Sequence, residues 1–262
     1  CPLDFYYTYV CGLKEAEEVE EEIEDSTMGD IVHQVLEDIY KDYSKHGISA
    51  EGIKKDLKRI PKMVGNEYTE KLKQTTLTGN NYISKEIAIT QVEKVLKSDL
   101  EHLKAGRSLK ILGTEEELST TLEFSIQREL VKVHLKGTAD RIDELDGVVR
   151  IIDYKTGKVE TKSVPELNLD DPVAEKHAKS LQLAYYSYLY SKNHPNKKVS
   201  SWIFAIKNSK QLLFEGKLTG LESFGETFID KFEELIHSLL AEITDSDKLL
   251  IHNEDSKWCQ VC

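Results

Sequence analysis

The sequence predicts an α/β or α+β domain built around one central sheet. Three observations lead to this fold class. Apolar residues recur with helical spacing early in the chain, as in Gly29–Tyr43. Segments that alternate between apolar and polar residues fill the middle, between Glu117 and Lys155. A helical segment, two further strands and a closing helix follow, and this order of elements suits one sheet that is flanked by helices.

The first half of the chain is predicted to be mainly helical. After the helix at Gly29–Tyr43, a charged region continues the helical pattern from Ile53 to about Gly106. We expect breaks at Pro61 and near residues 79–81, because proline and glycine interrupt helices. Strict alternation then predicts three strands, at Glu117–Ile126, at Leu130–Asp143 and within Gly147–Val159.

The second half opens on a predicted loop, Glu160–Glu175, which is polar and contains two prolines. Helical spacing returns in the segment that follows, two short strand-like runs come next, and an amphipathic pattern closes the chain. The elements predicted here are a helix at Ala174–Asn193, strands at residues 199–208 and 211–219, and a helix at Phe224–Ile243.

Composition limits the classes of protein that the chain can belong to. Its 262 residues, 39% of them hydrophobic, suffice for the core of one large domain. No apolar run reaches the length of a membrane span and no signal peptide is visible, so we expect a cytoplasmic protein without membrane contact. The chain begins with cysteine rather than methionine, which suggests a segment of something longer. A net charge of -12 argues against coating nucleic acid through bulk charge, although a local basic cleft is compatible with it.

A predicted hairpin brings two acidic residues together. Asp146-Gly147 is a strong signal for a two-residue turn. Counting outward from this turn places Asp140 directly opposite Asp153, with the two Cβ atoms roughly 4.5–5.5 Å apart. Their face of the hairpin also carries apolar residues, so solvated surface acids are the less favoured interpretation. The apolar residues on this face are Ile142, Val149 and Ile151.

Two opposed carboxylates on such a face repel each other, so one takes up a proton or a divalent cation lies between them. Lys155 lies on the same face as Asp153, because side chains alternate along a strand. A cation between the acids can polarise a phosphoryl oxygen, and a lysine beside it can orient water or stabilise developing charge. The pattern is therefore typical of a phosphodiesterase.

These residues resemble the RecB-like branch of the PD-(D/E)xK nuclease superfamily. The resemblance rests on four motifs in the family's order, from Gly29 to Tyr186. The opening "CPLDFYYTYVCGL" and the final "CQVC" extend it towards helicase-linked, AddB-type nuclease domains. The four motifs are Gly29-x-x-x-His33, "GTADRID" with Asp140, "IIDYKTGK" with Asp153-Tyr154-Lys155, and Gln182-x-x-x-Tyr186.

The resemblance implies a restriction-endonuclease-like α/β core, with a central mixed sheet flanked by helices. It implies a single domain over residues 1–262 with a helical insertion at about 44–110. Lys155 resembles the catalytic lysine, and Gln182 and Tyr186 resemble residues that position DNA. Taken alone, His33 could be a structural histidine paired with Glu37. The implied ligands of Mg²⁺ or Mn²⁺ are His33, Asp140, Asp153 and the backbone carbonyl of Tyr154.

The cysteines add a second implied site. AddB-type domains carry a 4Fe-4S cluster, and three cysteines of this chain match its ligands, while a fourth would follow Cys262. Cys11 could substitute for the fourth ligand, and a zinc site is an alternative. Such a cluster would join the termini, residues 1–12 and 255–262. The matching cysteines are Cys1, Cys259 and Cys262.

The function implied is that of a metal-dependent DNA nuclease, with an exonuclease favoured, acting in recombination or repair beside a fused or associated helicase. The alternative is a degenerate nuclease fold that binds DNA or braces a partner. The chain lacks the phosphate-loop, dinucleotide and HExxH motifs, which argues against an ATPase, a dehydrogenase or a zincin protease. Lysines that could contact DNA, or be ordinary surface lysines, are Lys158, Lys162, Lys207 and Lys210.

Overall fold

The described residues form a five-stranded mixed sheet, in which neighbouring strands follow one another in chain order. The computed structural model describes residues 2–13, 23–73, 78–126, 129–170, 177–221 and 224–245. Every neighbouring pair is antiparallel except β3 and β4, which are parallel. The strands are β1 (Leu109–Ile126), β2 (Glu129–Leu145), β3 (Val148–Lys155), β4 (Val199–Ala205) and β5 (Leu213–Glu215).

Helices cover both faces of this sheet. Neighbouring residues of β3 enter different core clusters, since Ile152 packs with the helices of residues 25–104 whereas Ile151 packs with those of residues 178–243. The predicted α/β class with a central mixed sheet flanked by helices is therefore confirmed. In the described part of the chain, no helix has both the length and the apolar character needed to cross a membrane. The helices are α1 (Pro2–Phe5), α2 (Asp25–His46), α3 (Ala50–Leu72), α4 (Gly79–Lys104), α5 (Ala178–Asn193) and α6 (Glu226–Ile243).

The predicted break at Pro61 is wrong. Helix α3 runs through this residue without ending. Proline removes one backbone hydrogen bond inside a helix. However, Pro61 lies on the exposed side, while Ile60 and Val64 beside it are fully buried against the neighbouring helices. Tertiary packing of the buried face therefore outweighs the local cost of the proline.

Two strand boundaries also differ from the predictions. Strand β1 begins at Leu109, eight residues before the predicted start at Glu117. Strand β5 covers only Leu213–Glu215, which is shorter than the predicted run 211–219. Alternation of apolar and polar residues did not predict the first part of β1. A bulge between Ile111 and Gly113 interrupts this alternation.

The β2–β3 hairpin has the predicted register. Asp146 and Gly147 both have positive φ angles, 52° and 83°, as a type I′ turn requires. Leu145 pairs with Val148, and the ladder continues in step to Arg141 opposite Ile152. The next residues outward are Asp140 and Asp153, so the paired register agrees with the predicted one up to the residues beside these two acids.

A buried charge network ties helix α4 to the sheet. Arg141 is 1% exposed and donates hydrogen bonds of 2.7 and 3.1 Å to the carboxylate of Asp99 on α4. It also lies 2.5 Å from Asp143, which pairs in turn with Arg150. The Tyr40 hydroxyl donates to Asp99, and the Tyr40 ring lies 4.3 Å from the Arg141 guanidinium carbon. These contacts fix the backbone that follows Asp140 on β2.

Candidate active site

An open cleft of about 690 Å³ lies between helix α2 and the end of strand β3. One face of α2 lines it, because residues three or four apart share a side of a helix. The strand contributes Tyr154 and Lys155. From α2 come Ser26, Gly29, Asp30, His33, Gln34 and Glu37, and the remaining lining residues are Glu115, Thr156 and Gly157.

Gly29 explains why the helix can approach the strand so closely. A Cβ atom at this position would lie 2.9 Å from Oγ1 of Thr156, the residue after Lys155. Any larger residue would therefore push α2 away from the end of β3, or force Thr156 to move. His33 lies one helical turn further along α2, so the glycine sets the distance between His33 and the strand.

His33 and Asp140 meet at the edge of this cleft. Nδ1 of His33 lies 3.6 Å from Oδ2 of Asp140, and both side chains are partly buried. The His33 ring also meets the Tyr154 ring edge-on, with the ring centroids 5.9 Å apart. An imidazole and a carboxylate from separate elements thus lie close together, whereas no ion pair or hydrogen bond joins His33 to Glu37. The role of His33 as a metal ligand stays a prediction.

Asp140 is held by the backbone of β3. Its Oδ2 atom accepts a hydrogen bond from the Tyr154 N–H at 2.6 Å. Burial, and then the charge of Asp153, raise the pKa of Asp140 to about 7, although the Tyr154 N–H and the Lys155 ammonium oppose that shift. The raised pKa shows that the site disfavours two unbalanced negative charges, which a bound cation would compensate.

Asp153 and Lys155 form the other half of the site. Nζ of Lys155 lies 3.0 Å from Oδ1 and 2.8 Å from Oδ2 of Asp153, which is 3% exposed. The contact to Oδ2 is electrostatic, since this oxygen accepts no hydrogen bond of good geometry from the described residues. One carboxylate oxygen therefore remains available beside the lysine.

The donor set fits a hard divalent cation. His33 and Asp140 offer a nitrogen and an oxygen within reach of each other, and Asp153 offers a buried oxygen without a hydrogen-bond donor. Carboxylate oxygens suit Mg²⁺ and Mn²⁺, and an added imidazole is compatible with Mn²⁺. The carbonyl of Tyr154 belongs to the same strand end, and its role as a ligand stays a prediction.

Gln182 and Tyr186 lie next to β2 rather than among the residues that line the cleft. The Gln182 amide donates to the Tyr186 hydroxyl at 3.0 Å. The Tyr186 ring packs on Gly137, where an added Cβ would lie 2.8 Å from it, and the hydroxyl of Tyr185 donates to the Lys136 carbonyl. The pair therefore reaches the strand that carries Asp140, three residues before it.

The remaining predicted residues lie apart from the cleft or outside the described residues. Lys158 and Lys162 both pair with Glu160, and Lys207 lies 3.7 Å from Asp25, while Lys210 is exposed. The predicted cluster ligands Cys1, Cys259 and Cys262 lie outside the described residues. Cys11 is an exposed free thiol.

Sequence reasoning missed Glu115, which lines the cleft beside His33 and Asp140. This residue precedes the predicted start of β1, so no pattern linked it to the hairpin. Its φ angle of 46° is positive, and a sequence pattern does not predict this backbone conformation for a glutamate. Pairing of β1 with β2 brings Glu115 to the site, because this pairing places it beside Asp140. The residues next to Glu115 in the sequence do not indicate this position.

Asp140→Asn should stabilise the protein at pH 8 in EDTA, by on the order of 2 kcal/mol. A carboxyl whose pKa rises on folding binds its proton more tightly in the folded state. The free energy of unfolding therefore falls as pH rises from about 4 to about 7. The asparagine removes this loss and still offers an oxygen to the Tyr154 N–H. The gain should vanish near pH 4, as measured by urea unfolding at both pH values.

Asp146→Asn provides the control for this experiment. The hydrogen bond from Arg107, and then that from the Ser108 N–H, lower the pKa of Asp146, so its ionised form favours folding. Its replacement should reduce stability at pH 8, opposite in sign to Asp140→Asn. A loss of stability in both variants would contradict the unfavourable charge assigned to Asp140.

Comparison with known proteins places this site in a family. The profile of the PD-(D/E)XK nuclease superfamily matches residues 1–262. An uncharacterized protein of Rickettsia conorii is 29% identical over 170 residues, which cover 64% of this chain and 19% of that protein. One from Rickettsia felis is 31% identical over 172 residues, covering 64% of this chain and 18% of that protein. The chain thus spans about a fifth of the length of these curated relatives.

Among solved structures, the crystal structure of SSO0001 is similar at 20% identity and a TM-score of 0.23, covering 79% of this chain and 85% of that chain. This likeness is too weak to inform either the fold or the function. The superfamily profile, in contrast, covers the whole chain, and the acids and the lysine of its motif meet at one strand end. The chain belongs to the PD-(D/E)XK nuclease superfamily, whose members are in general metal-dependent nucleases.

Proposed function

We propose that this chain is the catalytic domain of a RecB-like, AddB-type nuclease that hydrolyses phosphodiester bonds of DNA with Mg²⁺ or Mn²⁺. The observation that carries the proposal is the convergence of three elements at the end of β3. Helix α2 brings His33, β2 brings Asp140 and β3 brings Asp153 with Lys155. We treat residues 1–262 as one domain, with α3 and α4 as its helical insertion.

The bound cation would supply Lewis-acid chemistry, polarising a phosphoryl oxygen and lowering the pKa of a water molecule. His33, Asp140 and Asp153 would hold it, and the Tyr154 N–H keeps the Asp140 carboxylate in position through its 2.6 Å hydrogen bond. The strand backbone thus orients the ligand, so the site needs little rearrangement to accept the cation.

Lys155 would act on the reacting phosphate. Its side chain is 32% exposed, so the ammonium can reach the cleft, while Asp153 within 3.0 Å keeps it in place. From this position it can donate a hydrogen bond to the attacking water or to a non-bridging oxygen of the phosphate. Water then adds to phosphorus and gives up a proton to solvent, the bond to the leaving oxygen breaks, and that oxygen takes up a proton from solvent.

DNA is the substrate that we propose, with cleavage from an end favoured over internal cleavage. Gln182 and Tyr186 lie beside Gly137 on β2, so a strand of DNA that reaches Asp140 would pass close to them. Because the net charge is -12, contacts to phosphates must be local. We take Lys158, Lys162, Lys207 and Lys210 as candidates for these contacts.

The setting that we propose is recombination or repair in the cytoplasm, beside a fused or associated helicase. The relatives are about five times longer than the matched segment, which leaves room for further domains in those proteins. We include a 4Fe-4S cluster held by Cys1, Cys259, Cys262 and a further thiolate, on the basis of the cysteine pattern alone. Iron analysis and visible absorption after anaerobic reconstitution would test the cluster separately.

Cleavage of end-labelled DNA tests the proposed function. Linear and circular substrates, single- and double-stranded, would be incubated with Mg²⁺, Mn²⁺ or EDTA. We expect metal-dependent cleavage of linear DNA that Asp153→Asn abolishes, because this variant removes a charged ligand. The matched control Asp42→Asn, on the exposed side of α2, should cleave like the unmodified chain. Metal-dependent DNA binding without cleavage would instead indicate the degenerate, binding-only alternative.

A further inference from the structure

Glu115 lies on β1 between two positions whose partners on β2 flank Asp140. In the pairing of β1 with β2, Thr114 faces Arg141 and Glu116 faces Ala139. Glu115 and Asp140 are the residues between these two pairs, on neighbouring strands. Each of them offers a carboxylate oxygen that lies within 4.8 Å of the other and of a His33 ring nitrogen.

The backbone of β1 changes its pattern at this point. Buried positions are odd-numbered up to Gly113 and even-numbered from Leu118 onwards. Glu115, with its φ angle of 46°, lies where the pattern shifts. A positive φ angle costs a residue other than glycine on the order of 1 kcal/mol, so glycine would be the favourable choice if geometry alone mattered here. Because glutamate is found here instead of glycine, we expect its side chain to have a function.

The carboxylates of Glu115 and Asp140 repel each other, because an oxygen of each lies within 4.8 Å of the other. Among the described residues, the Glu115 side chain forms no ion pair or hydrogen bond that would balance this charge.

We infer that Glu115 is a further ligand of the divalent cation, which it binds together with His33 and Asp140. The inference rests on the proposed function, because that function requires the cation. Glu115 extends the site to the edge strand of the sheet, so that α2, β1, β2 and β3 each contribute one ligand side chain. The positive φ angle at Glu115 then places its carboxylate beside His33 and Asp140.

Equilibrium binding of Mn²⁺ to the full chain, followed by electron paramagnetic resonance without DNA, tests this inference. Glu115→Gln should weaken binding by about 10-fold to 100-fold, the range found for groups that hold or orient a metal. Glu117→Gln changes another exposed acid of β1 two residues away, and should bind Mn²⁺ like the unmodified chain. Equal affinity of Glu115→Gln and the unmodified chain would overturn the inference.

Glu115→Gly separates a structural role from a role in cation binding. Glycine tolerates the positive φ angle, so this variant should melt at a higher temperature than the unmodified chain in EDTA. It should nevertheless bind Mn²⁺ as weakly as Glu115→Gln. A higher melting temperature with unchanged Mn²⁺ affinity would show that Glu115 is not a ligand.

The two proposals fail in distinguishable ways. If Asp140→Asn loses Mn²⁺ binding while both Glu115 variants retain it, the proposed function stands and the role of Glu115 is wrong. If the unmodified chain binds no Mn²⁺, both proposals are wrong.

Discussion

Replacing Arg141 with methionine is expected to lower the free energy of unfolding by about 3–5 kcal/mol. Arg141 is 1% exposed and neutralises Asp99, which is 3% exposed. Without the guanidinium, the Tyr40 hydroxyl is the one hydrogen-bond donor left to the Asp99 side chain among the described residues, and Asp99 carries an uncompensated buried charge. The charge of Asp143 remains balanced, because Arg150 still pairs with it at 2.7 Å. Urea unfolding at pH 7 measures the loss.

Two further variants show whether burial causes this effect. Arg107→Met breaks the exposed pair with Asp146 and should cost much less stability than Arg141→Met, because solvent screens this pair. Adding Asp99→Asn to Arg141→Met removes the uncompensated charge and should restore part of the stability. Equal losses for Arg107→Met and Arg141→Met, or no recovery in the double variant, would contradict the role assigned to the buried network.

Replacing Lys155 with methionine should lower the cleavage rate by about 10²–10⁴-fold while Mn²⁺ binding is retained. The ammonium is the group that we place on the reacting phosphate, and methionine keeps an unbranched apolar chain of similar length. Removal of this positive charge should not weaken binding of a cation at Asp153, because like charges repel. Single-turnover cleavage and Mn²⁺ titration of the same sample separate the two effects.

The matched control for Lys155 is Lys197→Met. Lys197 is exposed, pairs with Glu144 at 3.1 Å and lies at the other end of the hairpin, so its loss should leave cleavage unchanged. If Lys155→Met lost Mn²⁺ binding together with cleavage, the lysine would be holding the site in shape rather than acting on the phosphate.

The hairpin was predictable because its determinants are local. A two-residue Asp-Gly turn fixes the register of the strands that flank it, and alternation then assigns each side chain to a face. The positions of Asp140, Asp153 and Lys155 follow from that register. His33 could be placed beside them only by resemblance to the family, since its contact with Asp140 joins residues more than one hundred positions apart in the chain.

The parts that sequence reasoning missed depend on contacts between distant elements. Glu115 reaches the site through a left-handed backbone conformation on a strand whose start was placed too late. Pro61 was expected to end a helix, but buried residues on the other side of α3 hold that helix together. The network around Arg141 joins α4 to β2 across forty residues, and no short motif marks it.

Binding of Mn²⁺ to the unmodified chain and to Asp140→Asn, by electron paramagnetic resonance at pH 8, tests the central claim most directly. The claim is that His33, Asp140 and Asp153 form a divalent-cation site beside Lys155. We expect saturable binding by the unmodified chain and a loss of at least about 10-fold in affinity for Asp140→Asn. Equal binding by the two folded proteins, or no binding by either, would contradict it.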